Sequence, residues 1–60
     1  MFKVGGYIKR KGISNKHHHH CIIVGEDEDN YTLYNSSLNR MQTVAKVVVN
    51  GMYTPVYVSG

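Results

Sequence analysis

The pattern of apolar and polar positions along the chain predicts short β-strands joined by tight turns. Residues 21–24 form a continuous apolar run that is typical of a central strand. Residues 31–34 alternate between two faces, with Tyr31 and Leu33 on the same side. A further strand is predicted at residues 7–11, before the turn signal of a glycine. These patterns indicate a protein built from strands.

The C-terminal third gives the strongest local signal, a β-branched run followed by Asn50-Gly51 and a second strand-like run. Asn-Gly suits both positive-φ positions of a type I′ turn, so the pattern predicts a two-residue hairpin over residues 47–54. In its register Val47 and Val49 share one face. Pro55 lacks an amide donor, which predicts that the last strand is locally unpaired on its outer side, as at a sheet edge.

A helix is the alternative for part of this segment. Apolar residues follow helical spacing at Leu38, Met41, Ala45 and Val48. The β-branched residues within 43–49 favour a strand instead. We therefore predict one short helical or 3-10 turn near residues 37–42 and a strand from about Thr43.

Together these elements predict a single all-β domain over residues 1–60, with five short strands. A small closed or nearly closed barrel is the economical way to protect the edges of so many strands. The stretch Val4-Gly5-Gly6-Tyr7-Ile8, followed by about four more strands, resembles the start of SH3-like and Sm-like small barrels. The resemblance implies a five-stranded SH3-like barrel and no catalytic residue.

The chain has 60 residues and one cysteine, so an internal disulfide is excluded. A core of this size rarely gives a comfortable stability margin without a metal or a partner subunit, which favours a homo-oligomer. No run approaches the ~20 apolar residues of a membrane helix, and the first sixteen residues lack the apolar stretch of a signal peptide. The expected location is the cytoplasm, without a membrane partner.

Charge is unevenly distributed along the chain. Five of the seven basic residues lie within residues 1–16, and all four acids lie at residues 26–29. The basic cluster is open to three interpretations: a solvated surface, a face that binds phosphate-rich ligands, or a face that meets the acidic loop of another subunit.

Aromatic side chains favour the second interpretation, because rings for stacking and cations for phosphate are what nucleotide or single-strand binding requires. The sequence contains five tyrosines and no tryptophan. It has no Walker loop, Rossmann glycine triplet or RNA-recognition signature. The predicted ligand-binding residues are Tyr7, Lys9, Arg10, Lys11, Arg40, Tyr53 and Tyr57.

The run of four histidines at residues 17–20 is the most conspicuous motif. On a strand His18 and His20 would share a face, and such a pair supplies two ligands to Zn²⁺, Ni²⁺ or Cu²⁺. A resident cofactor is not expected, and capture of zinc or nickel by the run is the metal chemistry that the sequence allows. Cys21 lies next to His20, but the two would point to opposite faces, so we interpret Cys21 as a core residue.

These features indicate a non-enzymatic oligomer that binds or sequesters an anionic ligand, either a nucleotide-type small molecule or nucleic acid. The alternative is a protein–protein interaction module that inhibits a bacterial host factor. In that role the small chain would resemble bacteriophage accessory proteins.

Overall fold

The computed structural model describes residues 2–12 and 20–56. Its elements are five strands and one short helix: β1 (Tyr7–Arg10), β2 (Cys21–Glu26), β3 (Asn30–Asn35), β4 (Arg40–Ala45), α1 (Lys46–Met52) and β5 (Tyr53–Pro55). The predicted all-β class with five strands is confirmed. Within the described ranges no helix is both long enough and apolar enough to cross a membrane.

The five strands form one antiparallel sheet in the order β4-β3-β2-β1-β5. The sheet does not close on itself, so the closed form of the predicted barrel is not present, and β4 and β5 are its two edges. β2 lies in the centre, as its continuous apolar run predicted, and β5 is an edge strand, as Pro55 predicted. In β2 the register shifts between Ile23 and Gly25, which leaves Val24 as the extra residue of a bulge. A bulge increases the local twist and bends the strand.

One face of the sheet carries the core. Ile8, Ile23 and Leu33 are almost completely buried there, as alternation along their strands requires. Tyr31 is buried on the same side as Leu33, which confirms the predicted alternation of β3, and its hydroxyl donates to the carbonyl of Phe2 at 3.0 Å. The remaining core residues are Val49 and Tyr53. Three partly buried residues pack against this core: Phe2, Cys21 and Val44.

The predicted hairpin over residues 47–54 is wrong, because residues 47–52 belong to α1 and residues 53 and 54 begin β5. Neither Asn50 nor Gly51 has a positive φ, so no type I′ turn forms. The chain must cross from β4 at one edge of the sheet to β5 at the other, and a two-residue turn cannot span that distance. Burial of Val49 against the core then outweighs the strand preference of the valine run.

The helical turn predicted near residues 37–42 is also misplaced. Residues 36–39 form a tight turn between β3 and β4, and the strand begins at Arg40 rather than near Thr43. Asn39 adopts a positive φ of 49°, and the side-chain oxygen of Asn35 accepts the amide of Leu38 at 3.1 Å. Asparagine tolerates this left-handed conformation and caps such turns locally, so two polar side chains fix the hairpin.

Candidate functional site

Antiparallel pairing brings the distant basic residues of the sequence to one end of the sheet. β1 ends at this side, while β2 and β4 begin there. Consequently Arg10, the last residue of β1, and Lys11 after it lie at the same end as Arg40, the first residue of β4. We call Lys9, Arg10, Lys11 and Arg40 the basic end. Four of the predicted ligand-binding residues therefore belong to one region, although Arg10 and Arg40 are thirty positions apart in the sequence.

The acidic residues lie at the opposite end, at the last residue of β2 and in the turn between β2 and β3. The Asp27 carboxylate accepts the backbone amides of Asp29 at 2.9 Å and Asn30 at 2.8 Å. These hydrogen bonds hold the pKa of Asp27 below its usual value. The turn is thus built around an ionised carboxylate, and with Glu26 at the end of β2 it completes the set of four acids in the chain.

Lys46 lies at this acidic end and is engaged there. Its ammonium contacts the Glu26 carboxylate at 2.8 Å and lies 5.2 Å from the centre of the Tyr31 ring. The hydrogen bond to Glu26 raises the pKa of Lys46. Lys46 therefore offsets one acid locally and does not extend the basic end.

The cations of the basic end are spread across the sheet. Arg10, Lys11 and Arg40 are exposed, and Lys9 is half-buried. Lys9 and Arg10 lie on β1, three strands away from Arg40 on β4. At the usual strand spacing this corresponds to ~14 Å along the sheet. The positive charge is therefore arranged as a band and not as a compact pocket.

The tyrosines of the predicted site are separated by the structure. Tyr53 pairs with Arg10 in register but is buried in the core, and this burial raises the pKa of its hydroxyl. Little of its ring is available for stacking. Tyr7 is exposed on the face opposite the core, at 46% of its full accessible surface. Tyr57 lies outside the described residues.

A row of apolar and aromatic residues crosses the sheet on the face opposite the core, which we call the outer face. Tyr7 is in register with Ile22, Ile22 with Tyr34, and Tyr34 with Met41. Met41 is 60% exposed, Ile22 and Tyr34 are partly exposed, and Lys9 shares this face with Tyr7 by strand alternation. The row thus begins beside Lys9, whereas Arg10 lies on the other face of β1 by the same alternation.

Tyr34 was not among the predicted ligand residues, although its position completes this row. Its hydroxyl donates to the side-chain oxygen of Asn39 at 3.0 Å, which fixes the ring against the β3–β4 turn. Alternation along β3 put Tyr34 on the face away from Leu33. The missing information was the register of β2 with both β1 and β3, which aligns Tyr34 with Tyr7.

Of the predicted metal ligands, His18 lies outside the described residues. His20 is described directly before β2 and is partly buried. Among the side chains of residues 2–12 and 20–56, no three His, Cys, Asp or Glu residues converge as a metal site would require. The metal prediction at His18 and His20 therefore remains a prediction.

Cys21 begins β2 and packs against the core. Burial raises the pKa of its thiol above the usual value, which keeps the sulfur protonated at neutral pH. This environment is that of a small apolar side chain and supports the interpretation of Cys21 as a core residue.

Comparison of the chain with protein-family models, with curated proteins and with solved structures gave no match.

Proposed function

We propose that this chain is a non-enzymatic binding protein that holds single-stranded nucleic acid across its basic end and outer face. The observation that carries the proposal is the segregation of charge by the fold. Lys9, Arg10 and Lys11 gather with Arg40 at one end of the sheet, whereas the four acids lie at the other. Phosphate groups are attracted to such a patch electrostatically.

The spacing of these cations favours a strand over a single nucleotide. The band extends ~14 Å from β1 to β4, the distance of three strand spacings. A mononucleotide concentrates its phosphates at one point, whereas a strand presents one phosphate after another along such a band. Proteins that bind single strands combine a positive track of this kind with aromatic side chains on which bases stack.

The outer face supplies the aromatic part. Tyr7 and Tyr34 lie on either side of Ile22 in the same row. We assign Tyr7 and Tyr34 to base stacking, Lys9 to the phosphate next to the row, and the rest of the basic end, Arg10, Lys11 and Arg40, to the following phosphates. In this arrangement backbone contacts and stacking would give affinity without strong sequence preference.

Fluorescence anisotropy with labelled oligonucleotides tests the proposal. We expect single-stranded DNA or RNA to bind more tightly than a mononucleotide competitor, and the affinity to fall steeply as salt rises. A variant that neutralises one phosphate fewer should show a slope of log K against log salt that is shallower by ~0.7 for a single strand. Tight binding of a mononucleotide with a shallow salt dependence would contradict the assignment.

A matched pair of charge variants localises the site. Arg10→Gln removes a cation from the basic end. Lys3→Gln removes one from the region near the acidic end, since Lys3 follows Phe2, whose carbonyl binds the Tyr31 hydroxyl. Both side chains are exposed. We expect Arg10→Gln to weaken binding and reduce the salt slope and Lys3→Gln to change neither. Equal effects of the two variants would refute a localised site.

The SH3-like resemblance also remains a proposal. The strand order β4-β3-β2-β1-β5 and the short helix that precedes the last strand support it.

A further inference from the structure

The two edges of the sheet differ in how they are protected. β5 has three residues, and one of them is Pro55, which has no amide to offer a neighbouring chain. β4 has six residues, and every one is paired with β3 on its inner side. Alternate backbone amides and carbonyls of β4 therefore face outward along an unbroken ladder.

β4 lacks the features that usually prevent strand addition at an edge. It has no proline, no lysine and no bulge, and its sequence RMQTVA carries a single charge, at Arg40. The side chains of Arg40 to Thr43 are all exposed. Such an edge is a template for pairing with another extended chain.

We propose that the occupant of this edge is β4 of a second copy of the chain, paired antiparallel about a two-fold axis. Antiparallel pairing puts the two Arg40 side chains at opposite ends of the junction, whereas parallel pairing would place them side by side. We place the two-fold axis perpendicular to the sheet, so that the outer faces of the two copies form one continuous surface. Residues that pair across the junction then lie on the same face, and their numbers are both even or both odd. The junction is therefore centred on Gln42 or on Thr43.

Exposed apolar side chains at both ends of the edge fit this arrangement. Leu38 and Met41 lie at the start of β4, at 55% and 60% exposure. Val47 and Val48 follow its end, at 79% and 39%. In the antiparallel pair the first group of one copy faces the second group of the other. The two-fold axis creates this contact at both ends of the junction, so all four apolar groups would be covered.

The junction is small. Specific stable interfaces bury roughly 1,200–2,000 Å² in total. Six residues of edge strand with two small apolar clusters fall at or below the lower limit. We therefore expect a reversible dimer whose population rises with protein concentration.

Sedimentation velocity over a wide range of concentrations, without nucleic acid, tests the proposal independently of the proposed function. We expect a monomer–dimer equilibrium for the wild-type chain. Gln42→Lys adds a charge at or next to the centre of the edge and brings the two lysines of the pair close to each other near the axis. Its dimer should be weaker by about tenfold or more, equivalent to ~1.4 kcal/mol.

Val24→Lys is the matched control, because it adds the same charge at an exposed position of the central strand β2. It should leave the equilibrium unchanged. Circular dichroism of both variants establishes that they are folded. A chain that is monomeric at every concentration would overturn the proposal. So would a dimer that Gln42→Lys does not weaken, or an assembly larger than a dimer.

Discussion

The amide of Lys11 donates to the carbonyl of Met52 at 2.9 Å and thereby fixes the end of α1 beside the end of β1. The start of α1 is fixed in the same way, since the amide of Lys46 donates to the carbonyl of Asp29 at 2.8 Å. The helix therefore joins the acidic end of the sheet to the basic end. Both hydrogen bonds depend on the chain crossing between the two edges.

Truncation of Val49 is expected to destabilise the fold. Val49 is fully buried, so Val49→Ala removes two methyl groups from the core and should cost about 2 kcal/mol. Val47 is 79% exposed, and Val47→Ala should change the free energy of unfolding by less than ~0.5 kcal/mol. Urea denaturation of both variants measures the difference. In a hairpin the two valines would share a face. Similar losses of unfolding free energy in Val49→Ala and Val47→Ala would therefore argue against α1.

Two glycines form a second matched pair. A methyl group added at either Gly51 or Gly12 meets no atom within 4 Å, but only Gly12 has a positive φ, of 80°. Gly51→Ala should stabilise the helix by up to ~1 kcal/mol. Gly12→Ala should destabilise the fold by ~1–2 kcal/mol, because alanine is strained in the left-handed region. Thermal denaturation would show opposite shifts. A drop in stability in Gly51→Ala would indicate a turn at that position.

Asp27 makes the stability of the β2–β3 turn dependent on pH. Its folded pKa is lowered, so its contribution is present above the unfolded pKa of about 3.9 and is lost as the pH falls through the folded value. Asp27→Asn keeps an oxygen acceptor but removes the charge. We expect it to be less stable than the wild type at neutral pH, with the difference shrinking below about pH 4. Melting curves across this range measure the effect.

Glu28→Gln is the control for Asp27, because it removes the same charge from the same exposed turn. Its destabilisation should be smaller, since the two amides that stabilise the turn donate to Asp27 and not to Glu28. If the two variants showed the same dependence of stability on pH, then net charge, and not the hydrogen bonds of Asp27, would control the loss of stability at low pH.

Stacking on the outer face is tested at Tyr7. Removal of one stacking ring costs about 1–3 kcal/mol, so Tyr7→Ala should weaken oligonucleotide binding by roughly fivefold to a hundredfold. Tyr7→Phe keeps the ring and should bind like the wild type. The salt slope should be the same in all three proteins, because no cation is removed. Anisotropy titrations at several salt concentrations provide the measurement. A changed slope in Tyr7→Ala would place Tyr7 in the phosphate contacts.

The sequence predicted those parts of the fold that depend on neighbouring residues. Alternation identified the buried face of β3, and Pro55 identified an edge. The Asn50-Gly51 pair predicted a hairpin that does not form, because its local preference for a turn is weaker than the requirement that the chain cross the sheet. That requirement comes from strand order, which no local pattern contains.

In the candidate site, too, the sequence predicts what is local and not what strand pairing brings together. The clustering of Lys9 to Lys11 is visible in the sequence, because these residues are consecutive. The position of Arg40 beside them, and the alignment of Tyr34 with Tyr7, depend on antiparallel pairing and register across three strands. Information of this kind is not local. For this reason the predicted ligand-binding residues do not contain Tyr34 and do contain Tyr53, which the structure buries in the core.

The segregated charges of residues 2–12 and 20–56 form an electric dipole that runs roughly along the strands. In the field of a polyanion such a dipole experiences a torque that turns the basic end forward and the acidic turn away. With the proposed nucleic-acid ligand, this torque would orient the molecule before contact and make a larger fraction of encounters productive. The range of this alignment is set by the Debye length, about 10 Å at 0.1 M salt, so association would slow as salt is added.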